Sequence, residues 1–197
     1  MTNLDSDFWN KRYLDGETGW DTGTITTPLK TYIDHLTDRD LRILIPGGGN
    51  SHEALYLLEC GFMQVHIVDI ASVLEANLKN KFSPFPSDRW KVIIADFFDL
   101  PPGNYDLVLE QTFFCALDPI LRHAYVEKMF ELLRPGGQVA GVLFDRPFPG
   151  GPPFGGNQSE YQELFANRFN IKNLQPCYNS IPPRAGNEVF FLLQKPD

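Results

Sequence analysis

From residue 41 onward, short apolar runs alternate with stretches in which apolar residues recur every three or four positions. The first run, Leu41 to Pro46, is broken by Gly47, Gly48 and Gly49 and followed by Asn50 and Ser51. The run predicts a buried strand, the glycines a sharp turn that brings bare backbone against a ligand, and Asn50-Ser51 a cap for the next helix. Ala54, Leu55, Leu57 and Leu58 keep helical spacing from Glu53 to Glu59, up to Gly61. A second apolar run begins at Val65 and closes on Asp69. Ala71 to Lys81 reads as a helix, and Trp90 to Asp96 and Tyr105 to Glu110 as strands. Pro119 to Arg134 carries Leu121, Tyr125, Met129, Leu132 and Leu133 on one helical side, and Pro135-Gly136-Gly137 separates it from a strand over Gln138 to Phe144. Strands alternating with helices predict a parallel sheet covered on both faces.

The ends of the chain differ from this core. Between Asp145 and Gln158, proline and glycine are too dense for regular structure, which predicts a shaped loop able to wall a ligand site. A helix near Ser159 to Phe169 leads to strand-like runs at Ile171 to Tyr178 and Glu188 to Gln194. The joint from Asn179 to Gly186 has no room for a helix, so an antiparallel hairpin is expected to close the sheet.

Composition narrows the class. A chain of 197 residues, 43% hydrophobic, suffices for one substantial core, and no break in composition marks a second domain, so residues 1–197 are read as one domain. Seventeen basic against 25 acidic residues give a net charge of −8 without a Lys/Arg cluster, which argues against nucleic acid and for a small-molecule partner. Cys60, Cys115 and Cys177 have neither disulfide nor metal spacing, and a reducing, cytoplasmic setting is expected. The acidic N-terminus lacks the pattern of a signal peptide, and no apolar run approaches ~18 residues. No membrane partner is expected, and a monomer is.

An acid at the end of the second strand suits a ribose diol, since its oxygens accept hydrogen bonds from both hydroxyls. Nicotinamide enzymes share the glycine-rich first turn, but their fingerprint asks for a third glycine where His52 stands. Five parallel strands closed by an antiparallel hairpin, with Pro135-Gly136-Gly137 ahead of the fifth and Asp96 ending the third, look instead like the class I S-adenosylmethionine methyltransferases. The resemblance implies a Rossmann-like, mostly parallel seven-stranded sheet with a C-terminal antiparallel strand and helices on both faces.

At residue level, Phe8-Trp9, Tyr13, Gly19-Trp20-Asp21 and Thr27-Pro28-Leu29 resemble the N-terminal cap of the thiopurine methyltransferase family, nearest its thiol and halide branch. Ile45 to Glu53, Asp96-Phe97-Phe98, Gln111 to Ala116, Gly151 to Phe154 and Pro183 to Gly186 continue the match over about residues 8–190. The resemblance implies an N-terminal lid over residues 1–37, with Trp9, Tyr13 and Trp20 against the methionine end of S-adenosylmethionine. It also implies backbone contact at Gly47 and Gly49, a ribose grip by Asp69, adenine bracketing by Asp96 and Phe97, and contact between Gln111 and the methionine portion. Tyr13 stands where many members have a second Trp, and Gln111 where thiopurine-active members have Arg, which counts against thiopurines. Phe114, Arg146, Phe154 and Arg184 are the candidate acceptor residues.

The expected reaction is in-line displacement at the methyl carbon by a small soft nucleophile, a thiol, hydrosulfide or halide, leaving S-adenosylhomocysteine. A thiolate needs no dedicated base, so no catalytic residue is assigned. Blander readings stand beside these roles. Trp9 and Trp20 are also consistent with simple packing, and Phe113, Phe114 and Cys115 with the core. Glu110 is equally a base candidate and a strand-end acid satisfied by backbone. His35, His52, His66 and His123 lack metal-ligand spacing, and no metal is expected. The competing function is a catalytically silent cofactor-binding sensor or scaffold.

Overall fold

The computed structural model describes residues 4–197, so the first three residues of the expected lid lie outside the described residues. Two helices, α1 (Ser6–Leu14) and α2 (Thr27–Asp34), precede β1 (Arg42–Pro46), α3 (His52–Glu59), β2 (Gln64–Asp69), α4 (Glu75–Phe82) and β3 (Trp90–Ile94). There follow β4 (Tyr105–Gln111), α5 (Arg122–Leu132), β5 (Leu133–Phe144), α6 (Gln158–Ala166), β6 (Asn170–Pro176) and β7 (Glu188–Gln194). One sheet holds all seven strands in the order β3-β2-β1-β4-β5-β7-β6. β1 to β5 are parallel, and β7 runs antiparallel to both β5 and β6. The α/β architecture expected from the chain's alternation is the one it adopts.

Strand alternation divides the core between the two faces. Leu44 and Val108 point to the side covered by Tyr125, Met129 and Phe165 of α5 and α6. Ile43, Ile45, Leu107 and Leu109 point to the side covered by Leu57 of α3 and Leu78 of α4. Leu29 and Ile33 of α2 are fully buried on this second side, so α2 belongs to the core, whereas α1 buries no residue completely.

Several boundaries depart from the sequence pattern for local reasons. Ser51 precedes α3 in left-handed backbone (φ +48°), and its hydroxyl donates to Gly48 O at 3.1 Å, so it does not cap α3 through its side chain. The helix expected from Pro119 is a 3-10 turn over Pro119–Leu121 followed by α5, and Leu133 is already extended. Tyr105 pairs with Leu133 and Leu107 with Gln138, so Pro135-Gly136-Gly137 is an irregularity inside β5, not the turn ahead of it. The segment after β2 likewise starts as a 3-10 turn, Ser72–Leu74, before α4. Asn157 caps α6 by accepting from Glu160 N at 3.0 Å, which starts that helix one residue earlier than its apolar pattern indicates.

Candidate functional site

Strand order reverses between β1 and β4, and such a reversal opens a crevice at the carboxyl ends of the strands. A cleft of about 750 Å³ lies there. Gly47 after β1, Asp69 ending β2, Asp96 and Phe97 after β3, and Phe113 after β4 form its floor and one wall. Trp9, Arg12, Tyr13 and Trp20 line it from the N-terminal segment. Arg146, Phe148, Pro152 and Pro153 come from the loop after β5, and Arg184 from the joint between β6 and β7. The proline-rich loop thus walls the cleft, tied in place by Phe154 N donating to Cys115 O at 2.6 Å.

The three glycines of the turn make room for protein as well as for a ligand. A methyl at Gly47 would stand 2.3 Å from Phe113 Cδ2, one at Gly48 2.4 Å from Ile67 Cγ2, and one at Gly49 2.8 Å from the Tyr13 hydroxyl. Gly47 and Gly49 have φ of +56° and +52°, where a side chain is strained in any case. Asp69 accepts from Gly49 N through Oδ2 and from Ala71 N through Oδ1, each at 2.9 Å. Burial pushes its carboxyl above the usual range, opposed by those amides. Asp96 is exposed and accepts from Phe98 N at 2.9 Å, holding the short turn that presents Phe97 and Phe98 to the cleft.

The lid aromatics meet edge to face. Trp20 lies 5.6 Å from Trp9 and 5.7 Å from Tyr13, centroid to centroid, at 84° and 90°. Burial raises the Tyr13 phenol well above its ordinary value, reinforced by the nearby Asp69 charge, so it stays a neutral hydroxyl. Asp21, next to Trp20, accepts from His52 Nε2 at 2.8 Å and from Asn50 Nδ2, pinning the lid loop to the start of α3. Burial opposes ionisation of Asp21, but hydrogen bonds from Asn50, Gly23 N and His52 outweigh it and hold the carboxyl below its usual value.

Not every candidate faces the cleft. Phe114 is 1% exposed and packs against Tyr125, Tyr161 and Phe165, so its ring belongs to the core while Phe113 takes the lining position. The Phe154 ring stacks over Gly151 inside its own loop. Gly49 and Gln111 border a smaller recess behind the glycine turn, where Gln111 Oε1 accepts from Thr26 Oγ1 at 2.8 Å and Nε2 is buried without a partner. Glu110 is fully buried: Oε1 accepts from Phe113 N at 2.8 Å and Phe114 N at 2.9 Å, and Oε2 from Tyr125 OH at 2.8 Å. It is the strand-end acid satisfied by its neighbours. Cys115 borders the cleft, yet burial pushes its thiol up to about 12, which leaves no thiolate for nucleophilic work. Among the cleft residues that the sequence reading did not single out are Arg12, Phe98, Asp118 and Phe148, of which Phe98 sat in plain view beside Phe97.

The family model for thiopurine S-methyltransferase matches residues 4–190. A probable thiol methyltransferase 2 of Arabidopsis thaliana is 29% identical over 194 residues, covering 95% of this chain and 84% of that protein. Thiocyanate methyltransferase 1 of Brassica oleracea is 29% identical over 184 residues, covering 91% and 81%. Among solved structures, the 1,6-didemethyltoxoflavin-N1-methyltransferase of Burkholderia thailandensis, bound to its substrate and S-adenosylhomocysteine, shares the fold with a TM-score of 0.77 at 22% identity, over 98% of this chain and 87% of that one. The order of motifs, the sheet and the family match agree: the chain belongs to the thiopurine S-methyltransferase family and is a methyltransferase with S-adenosylmethionine as its methyl donor.

Proposed function

We propose that this methyltransferase acts on a small, soft, polarisable nucleophile, a thiol, hydrosulfide or halide, held between the aromatic lid and Arg146 and Arg184. The observation that carries the reading is a cleft walled largely by aromatic and apolar side chains, beside which neither the sequence's base candidate, Glu110, nor the thiol of Cys115 is free to act. Glu110 is enclosed and fully bonded, and Cys115 is protonated. A halide, hydrosulfide or the thiolate fraction of a thiol needs neither, and Arg146 and Arg184 bring guanidinium groups to the cleft. The names of the plant relatives, a thiol and a thiocyanate methyltransferase, support the same class.

The residues present fit the donor. Asp69 borders the cleft, and each of its oxygens keeps a lone pair beyond its backbone bond for a ribose diol. Trp9, Tyr13 and Trp20 line the cleft with aromatic rings, which attract a sulfonium, and Phe97 and Phe98 beside Asp96 offer an apolar slot for adenine. S-adenosylmethionine supplies an electrophilic methyl group when bound. The chain's share is to hold both reactants in line, to exclude water with the lid, and to draw the acceptor anion toward the guanidinium groups. Gln111, turned into the smaller recess, takes the position where an Arg would favour thiopurines.

A panel of small thiols, hydrosulfide, iodide, bromide and a thiopurine, assayed for S-adenosylhomocysteine release, tests the acceptor class. Turnover with the small nucleophiles at higher kcat/KM than the thiopurine is expected; the reverse ranking removes the small-acceptor reading. Firm cofactor binding with no turnover across the panel would make the chain a sensor or scaffold. In the same preparation, Asp69→Ala is expected to weaken S-adenosylhomocysteine binding by about 1–3 kcal/mol, the scale of lost buried hydrogen bonds.

A further inference from the structure

Trp20 is gripped by two arginines from opposite ends of the chain. Arg184 Nη2 donates to Trp20 O at 2.8 Å, and Arg12 places its guanidinium carbon 5.4 Å from the centroid of the Trp20 ring. Both arginines border the cleft, and each keeps one buried nitrogen without a hydrogen bond: Nη1 of Arg184 and Nε of Arg12. The Arg184 side chain is only 11% exposed, and Nη1 lies 3.6 Å from Oε1 of its buried ion-pair partner Glu188. The Arg184 guanidinium thus joins Glu188 to the Trp20 carbonyl across the edge of the cleft. A planar guanidinium presents donors on separate edges, so one edge can hold a lid carbonyl while another takes an anion.

We propose that Arg184 is a positioning residue that couples capture of the acceptor anion to closure of the lid over the cofactor. The inference rests on the acceptor class proposed above. An anion that reaches the Arg184 guanidinium from the cleft fixes the fork whose other partner is the Trp20 carbonyl. Trp20 in turn carries the edges of Trp9 and Tyr13 and the face covered by Arg12. Whatever orders Arg184 thus orders the whole lid cluster. Coupling is reciprocal, so an acceptor that binds better to the closed lid makes the cofactor bind more tightly by the same factor. Lysine carries the charge on a single head group and cannot span both partners with the same fixed fork. Arg146 borders the same cleft, and its guanidinium packs on Phe148 of its own loop at 4.8 Å, apart from the lid. It therefore attracts the anion without transmitting to Trp20.

The test uses S-adenosylhomocysteine, which has no methyl to transfer, with iodide as the probe anion and fluoride as the strongly hydrated control at constant ionic strength. In the wild-type protein, saturating iodide is expected to tighten S-adenosylhomocysteine binding about tenfold over fluoride, a typical coupling. Tryptic cleavage after Arg12 is expected to slow in parallel. In Arg184→Lys, with its thermal midpoint checked, the tightening should fall to about twofold or less, whereas Arg146→Gln should need more iodide yet reach the full effect. Absence of tightening in the wild type, or full tightening in Arg184→Lys, overturns the coupling. Thiol turnover without iodide tightening sinks the coupling alone. Iodide tightening in a protein inactive on every small nucleophile sinks the acceptor reading and leaves the coupling standing.

Discussion

Glu110 sits at the end of β4 with no exposed surface, and burial pushes its carboxyl up to about 7 despite the Phe114 and Phe113 amides and the Tyr125 hydroxyl that favour the charge. A carboxyl raised on folding binds more protons in the native state, so stability is fully present below the unfolded value and lost as pH rises through the native one. From the ordinary 4.5 to about 7, that is about 3 kcal/mol of stability lost on going from acid to neutral pH. Glu110→Gln removes the titration while keeping an oxygen for the two amides. Urea unfolding at pH 5 and pH 8 is expected to show a smaller fall in stability for the variant than for the wild type; equal falls would mean that Glu110 does not titrate in this window. Its neighbours explain where residue-level reading ran out. Past β4, Thr112 takes φ +59°, and this left-handed step turns the chain so that Phe113 faces the cleft and Phe114 the core. Two adjacent phenylalanines beyond a strand carry no periodicity that would separate them. Asp69 and Asp96 were placed at the cleft by their position closing apolar strands, and the alternative reading as loop or cap acids is also visible in their bonds to Gly49, Ala71 and Phe98 amides.

At the scale of elements, α1 buries none of its residues completely, and the lid is held by the partial packing of Trp9 and Tyr13 on the core and by a few polar clasps. Asn10 Oδ1 accepts from Val73 N at 3.1 Å, Asp21 takes bonds from His52 and Asn50, and Arg184 holds Trp20. An element with little buried apolar area and few clasps opens locally at low cost, as a lid must. Asp21→Ala should therefore act on the lid more than on the fold. S-adenosylhomocysteine binding is expected to weaken by about 1–2 kcal/mol, with faster tryptic cleavage after Arg12 and little change in the unfolding midpoint. A large drop in midpoint with unchanged affinity would make the clasp a structural bond only. Elements were legible where apolar spacing set them, as in β1 to β4 and α3. They were misread where backbone pairing overrode composition, as at Pro135-Gly136-Gly137, which lies within a strand already paired from Leu133. The helical start at Thr27 was written in Pro28, a residue favoured in the first turn, but a short helix among polar residues gives a weak periodic signal.

At the scale of the molecule, the parallel sheet and its antiparallel closing hairpin followed from the sequence pattern, whereas the contacts that close the cleft join residues far apart in the chain. Thr26 meets Gln111 and Trp20 meets Arg184, pairs separated by 85 and 164 positions that no local pattern can link. Because the cleft touches the ends of β1 to β4, the lid, the loop after β5 and the β6–β7 joint together, a ligand there binds the assembled fold and not the unfolded chain. Ligand at a hundred times its dissociation constant then adds about 2.7 kcal/mol to stability, which for a domain of this size raises the unfolding midpoint by about 5–10 °C. S-adenosylhomocysteine is expected to produce that shift and NADH, at the same concentration, none. His52 stands where a dinucleotide fingerprint needs glycine, and it is committed to Asp21 of the lid. A matching shift with NADH, or no shift with S-adenosylhomocysteine at concentrations that saturate binding by calorimetry, would mean that the cleft does not couple its ligand to the whole fold in this way.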